Sequence, residues 1–342
     1  MTTSSRAAFC QTLGIKHPIV CPPMANCTGG VLAAEVSKAG GLGLVGHAGS
    51  LDGLKSEVEK GRKHLGLSES DPLPFGVGLV LWKLEEPEVS SSSEASRLSS
   101  SFLSYVTSIS PHTVWLSFSP SLESWVKRYR STEGTAEKGR RAFILIMTAR
   151  TEDTIAASKW EGVDAVVAQG TEAGGHGPSH DLGLPLERLL EKVSPHYQRT
   201  KRPFLLAAGG ISSSSKIKEV FEKFEQVAGI IVGTGFTVAE ESLWSKGQKK
   251  LVVETKGGEE TDRGMEWDEV RGSMGWPEGV DGRAIRNRTR GREGTVYGGD
   301  LEGEKGEGPD LDEVGVWAGT GVGDVKEIKP AREILEDLVS QL

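Results

Sequence analysis

"PFLLAAGGISSSSKIKEVFEKFEQVAGIIVGTGF", residues 203–236, holds one complete unit of alternation. It opens on a short apolar run, turns at Gly209-Gly210, and passes a set of serines suited to a helix N-cap. An amphipathic stretch follows, then a second apolar run, 228–232, closed by Gly233-Thr234-Gly235. A run apolar at every position reads as a strand buried on both faces. A helix between two such strands makes them parallel. Any single run of this length could equally be buried helix, because period cannot separate the two. Repetition decides.

The same alternation runs upstream. "PIVCPP" (18–23) and "GGVLAAEVSKAG" (29–40) form the first unit, and "GLGLVG" (41–46) with "LDGLKSEVEKGRKHLG" (51–66) the second. "PFGVGLVL" (74–81) precedes a tract, 90–108, that starts as a Ser-rich loop and turns amphipathic near Leu98, Phe102 and Tyr105. "HTVWLSFS" (112–119) leads to "LESWVKRYR", and "RAFILIMT" (141–148) to "EDTIAASKWEG". "DAVVAQG" is the sixth strand, with "LPLERLLEKVS" as its helix. The opening stretch supplies the seventh and eighth, the last followed by "TVAEESLWSKG". Eight strand–helix units predict an α/β fold of the closed (β/α)8, or TIM-barrel, type. An open doubly wound sheet is the alternative, but no GxGxxG follows the first strand.

Residues 1–255 are therefore expected to form the barrel. Residues 256–326 form a Gly-rich, charged excursion packed on or near it, ordered in part by Trp267, Met274 and Trp276; 301–313 has disorder-like composition. Residues 327–342 close as a C-terminal helix with Ile334, Leu335, Leu338 and Leu342 on one face.

The chain of 342 residues is 37% hydrophobic and 26% charged, with a formal net charge of -8. That balance argues against a nucleic-acid or anionic-membrane partner. No apolar run is long enough to span a bilayer, and the N-terminus lacks a secretory h-region. Cys10, Cys21 and Cys27 read as reduced, buried thiols of an intracellular protein. A cytoplasmic location is expected. Ser340-Gln341-Leu342, a loose relative of S-K-L, carries a peroxisomal alternative. Oligomerisation is compatible with all of this.

In such a barrel, sites are built from the loops after the strands, and phosphate is commonly held after strands seven and eight. Glycines there also make plain tight turns. Paired on adjacent late strands, Gly209-Gly210 and Gly233-Thr234 are read as an anion cradle, with the following helices presenting their positive ends. An apolar mouth near Met24 then suggests a long cofactor across the barrel top, and FMN fits. Its ring needs a thin wall, which Pro22-Pro23-Met24-Ala25 and Gly174-Gly175 could supply. After strand six comes "GTEAGGHGPSHDLG" (170–183), read as a flexible glycine loop carrying His176, a ring suited to proton transfer or to steering an anion. His17 reads as structural, His64, His112 and His196 as solvated, and His47 as a candidate to support the site. His180 follows His176 by four, but Gly177-Pro178 forbids the helix an H-x-x-x-H metal pair needs. No metal site is expected.

On "PIVCPPMANCTGGVLAAEVSKAGGLGLVG", "PFGVGLV", "AQGTEAGGHG", "AAGGI", "GTGFTVAEES" and "WAGTGVGDVKEIKPAREIL", the sequence resembles the nitronate monooxygenase (2-nitropropane dioxygenase) family. "WDEVRGSMGWPEGVDGRAIRN" resembles a feature of its fungal-type members. The resemblance implies an FMN-bearing barrel with His176 in the place of the catalytic histidine. It puts Pro23, Met24, Ala25, Gly78, Gln169, Gly174 and Gly175 beside the flavin, and Gly209, Gly210, Gly233 and Thr234 at its phosphate. The family often has Asn where Gly78 stands, a polar side chain where Met147 stands, and Arg where Gly235 stands. The reaction implied is O2-dependent oxidation of an alkyl nitronate, or a nitroalkane, to a carbonyl compound and nitrite. FMN-dependent NAD(P)H reductases of quinones or enoyl thioesters share the glycine–histidine loop and are the first alternative. A non-catalytic flavin-binding interaction protein is the second.

Overall fold

The computed structural model describes residues 4–46, 50–85, 93–134, 141–148, 150–290, 311 and 314–342. His47 and nearly all of 301–313 lie outside these. The strands are β1 (Ile19–Cys21), β2 (Leu42–Gly46), β3 (Gly76–Val80), β4 (Thr113–Ser117), β5 (Phe143–Met147), β6 (Ala165–Gln169), β7 (Gly175–Pro178), β8 (Phe204–Ala208), β9 (Val227–Ile231), β10 (Thr261–Gly264) and β11 (Val280–Ile285). All but β7, β10 and β11 close into one parallel barrel, with β1 paired to β2 on one side and β9 on the other. The register runs Gln169↔Ala208 and Ala208↔Ile231.

Alternate residues along each strand fall into two packed clusters, as a period of two requires. Leu42, Leu44, Leu145, Val167, Leu206 and Ile231 fill the barrel interior. Val45, Ile144, Ile146, Val166, Leu205 and Ile230 pack outward under the helices. The helix α1 (Ser5–Leu13), not anticipated from the sequence, plugs the interior with Phe9, whose ring meets Phe143 and Phe204 edge-on. Gly229 leaves the room: a Cβ there would lie 2.9 Å from the Phe9 ring.

Three expectations about helices need correction. "TVAEESLWSKG" is not one helix: α9 (Thr234–Thr237) is a single turn, and α10 (Lys246–Glu254) begins only behind the reciprocal Ser245–Gln248 cap. The helix α8 (Ser214–Lys223) starts after Ser213, whose hydroxyl meets Ser215 rather than capping. In α12 (Ala331–Leu338), Ile334, Leu335 and Leu338 are buried, but Leu342 lies past the helix end and is exposed. No helix among the described residues is long and apolar enough to cross a membrane.

The largest departure is the segment after β6. Residues 175–178 are not a loose loop. They form β7, the edge of a three-stranded antiparallel sheet with β11 and β10, in which His176 pairs with Gly282. The excursion thus returns its strands to the barrel mouth. It is fastened there by one buried and one half-buried arginine. Arg263 ion-pairs with Asp281 and donates to the Ala173 carbonyl at 3.2 Å; Arg283 donates to the Thr171 carbonyl at 3.0 Å. These bonds satisfy backbone carbonyls that burial would otherwise penalise.

Candidate active site

One cavity of about 390 Å³ opens at the C-terminal ends of the barrel strands. Every residue expected at the site lines it: His176, Pro23, Met24, Ala25, Gly78, Gln169, Gly174, Gly175, Gly209, Gly210, Gly233 and Thr234. Of the three positions where the resemblance leads one to expect a polar or charged side chain, Gly78 and Met147 line the cavity, while Gly235 is buried in α9.

The glycines do different work. A Cβ on Gly175 would meet nothing within 4 Å, and one on Gly233 only Met24 Sδ at 3.6 Å and Pro22 at 3.8 Å, so both present bare backbone to open space. Gly209 and Gly210 sit at φ +123° and +66°, conformations natural to glycine. Among the described residues, no acceptor takes the N–H groups of Gly210, Gly233 and Thr234. Three backbone donors without partners, gathered at one end of a cavity, make a cradle for an anion. The helix-dipole contribution expected there is small, because α9 is one turn long and α8 starts four residues after Gly210.

His176 is held on every side. Gln169 Nε2 donates to its carbonyl at 2.9 Å. Gly177 makes that reach feasible, since a Cβ there would lie 2.3 Å from the same nitrogen. The imidazole stacks on Trp276, with ring centroids 3.6 Å apart and planes 12° apart, and tilts against Trp317. Phe118 and Trp82 pack behind Trp276. His176 Nε2 lies 2.8 Å from Oδ2 of Asp268, a side chain only 1% exposed. Asp268 comes from α11 (Glu266–Arg271) in the excursion. Its Oδ1 accepts from Ser273 Oγ at 2.7 Å and from Trp276 Nε1 at 3.1 Å. Burial alone would raise this carboxyl, but the bonds from His176, Ser273 and Trp276 hold it below the ordinary carboxylate value.

Two cations also line the cavity. Burial lowers the Lys83 ammonium, against the pull of Asp268, and lowers the Arg271 guanidinium likewise. Cys27 is no nucleophile here: burial pushes its thiol up to about 12.

Asp268, Ser273, Trp276, Trp317, Gly319 and Gly321 are site residues that the sequence reading did not single out. Trp276 appeared only as an ordering residue and 317–321 only within a resemblance. One histidine reading also changes. His112 is buried, not solvated, and is bonded to Thr113 Oγ1 and the Leu13 carbonyl. His64 pairs with Glu35. His180 faces solvent, away from His176's actual partner.

The nitronate monooxygenase family model matches residues 6–341. A nitronate monooxygenase of Neurospora crassa is 30% identical over 350 aligned residues, covering 94% of this chain and 88% of that protein. Among solved structures, nitroalkane oxidase from Streptomyces ansochromogenes superposes with a TM-score of 0.72 at 23% identity, covering 98% of this chain and 97% of the other. FabK from Thermotoga maritima gives a TM-score of 0.70 at 21% identity, covering 99% and 96%. At such identities the two structural likenesses speak to the barrel fold alone.

Proposed function

The chain belongs to the nitronate monooxygenase family of oxidoreductases, and from that premise we propose that it oxidises alkyl nitronates with O2 to a carbonyl compound and nitrite, using FMN. The observation that carries the reading is His176, locked at the wall of a cavity whose opposite features are bare glycine backbone and unpartnered N–H donors.

The residues present fit a flavin mononucleotide. The N–H groups of Gly210, Gly233 and Thr234 would take its phosphate, and the open backbone of Gly175 with Pro23, Met24 and Ala25 would flank its ring. Bound there, the flavin supplies the electron acceptor. The chain's own groups bind and orient. A nitronate is an anion, so a protonated His176 or the nearby Lys83 holds it, while the rings of Trp276, Trp317 and Phe118 keep water off. A neutral nitroalkane must first lose a proton, and His176 is placed to take it.

The test is a visible spectrum of the purified protein, then turnover of ethylnitronate and propionate 3-nitronate by wild type and His176→Ala. A flavin spectrum with turnover lost in the variant is the expected result. Protein without flavin, or flavin that NADH bleaches rapidly without any nitronate turnover, refutes it.

A further inference from the structure

We propose that Asp268 is the positioning residue that fixes the tautomer of His176, leaving Nδ1 as the proton acceptor for neutral nitroalkanes. The inference rests on the proposed function and assigns a proton path within it.

The argument starts from Asp268. Its carboxyl receives three hydrogen bonds and stays ionised at neutral pH. A carboxylate only accepts, so His176 Nε2 must donate to it. In the neutral imidazole the other nitrogen is then the acceptor. Among the described residues no group bonds to Nδ1. The ring is held in this orientation by Trp276, which stacks on its face, and by Trp317, which tilts against it. Trp276 has a double role, since its Nε1–H also anchors the carboxylate.

The step balances. Nδ1 takes the hydrogen on the carbon bearing the nitro group. The C–H bond breaks, an N–H bond forms, and the bonding pair passes into the nitronate. The imidazolium produced sits beside the Asp268 carboxylate, so no unpaired charge is left buried. A substrate supplied as the nitronate lacks that proton and needs only a donor or a cation.

Asp268→Asn separates these roles. Trp276 Nε1 can only donate, and it points at Oδ1. The Asn carbonyl therefore takes the place of Oδ1, and its NH2 takes the place of Oδ2, facing His176. Nε2 must then accept, and the hydrogen moves to Nδ1, which can no longer take a proton. It can still donate to a nitronate.

The experiment is 15N NMR of histidine-labelled wild type, Asp268→Asn and His176→Ala, the last to assign the signals. Turnover of nitroethane and of ethylnitronate is measured beside it. The expected result is an Nε2–H tautomer in wild type and an Nδ1–H tautomer in Asp268→Asn. Nitroethane turnover falls on the order of 10²–10⁴-fold, the contribution of a positioned proton acceptor, while ethylnitronate turnover falls less than about tenfold. The same tautomer in both proteins overturns the proposal, as does an equal loss on both substrates. Should the variant not fold, the wild type decides alone: Nδ1–H there overturns the proposal, Nε2–H supports it. A tautomer switch in a protein that oxidises neither substrate leaves the Asp268 assignment standing and refutes the proposed function instead.

Discussion

Gly78→Asn introduces the residue that the family resemblance leads one to expect at this position, and it should fail here. Gly78 lies in β3 at the cavity wall. A Cβ added to it would sit 2.2 Å from Pro23 Cβ and 2.3 Å from Pro23 Cγ, whereas ordinary contact begins near 3.4 Å. The gap must open by more than 1 Å. Pro23 cannot rotate out of the way as a flexible chain end would, because its ring is fused to the backbone. That backbone is tied down: Thr28 Oγ1 donates to the Pro22 carbonyl at 3.0 Å, and Met24 packs so tightly on Gly46 that a Cβ there would lie 2.3 Å from the Met24 carbonyl oxygen. Overpacking of this kind costs about 1–3 kcal/mol. The Pro22–Met24 wall moves with Pro23, so flavin retention should fall as well. Pro23→Gly removes both clashing atoms, so the double variant should be less destabilised than the sum of the singles by about 1–3 kcal/mol, the range for residues in direct contact. Urea midpoints followed by circular dichroism, with bound flavin measured on the same samples, give all four corners of the cycle. A Gly78→Asn protein as stable as wild type and fully flavin-loaded, or an additive double variant, would show that the Pro23 ring does not exclude the side chain.

Two further predictions concern carboxylates at opposite ends of the barrel. Asp164, 3% exposed just before β6, ion-pairs with Arg130 and Arg202 and accepts the Ile144 N–H at 2.8 Å. Removing it as Asp164→Ala leaves the buried Ile144 N–H without its acceptor and takes one ion-pair partner from Arg130, which keeps Glu133, and should cost about 1–3 kcal/mol in urea unfolding. Turnover per folded molecule should be unchanged, since the residue lies at the end of the barrel away from the cavity; a loss of turnover in fully folded protein would contradict this. Asp268 carries the opposite signature. Its carboxyl is depressed in the folded state, so its stabilising contribution is full above the ordinary carboxyl value of about 4 and is lost as pH falls through the lowered value. The stability difference between wild type and Asp268→Asn should therefore shrink as pH falls below about 4. A difference that grows as pH falls below about 4 would reverse the sign of the assignment.

The barrel was readable because each parallel strand is apolar on both faces and the unit recurs eight times, so an ambiguous run such as 204–208 is fixed by its neighbours. His176 and the glycines were readable because a strand end and the residues just after it place them locally. Asp268 was not, since it reaches His176 across 92 residues of sequence from a charged excursion expected to pack on or near the barrel but with no contact to the site assigned. Arg263 is 5% exposed and Asp268 1%, and both spend their charge inward, on Asp281 and the Ala173 carbonyl in one case and on His176 in the other. His112, read as solvated, instead precedes β4 and bonds the Leu13 carbonyl of the N-terminal plug. One signal was available: "VDGRAI" alternates apolar or small Val280, Gly282 and Ala284 with charged Asp281 and Arg283, the period of a strand with one covered face, and the structure buries the first set. A two-period strand needs a partner, and the glycine-rich segment with a histidine at its centre is the one this strand pairs with. Gly282 stands opposite His176 because Trp317 occupies the space a side chain there would need, 2.5 Å from the missing Cβ. The charged excursion is thus a polar core built around one imidazole, and its arginines are there because the carbonyls of 171–173 need donors once the barrel mouth is covered.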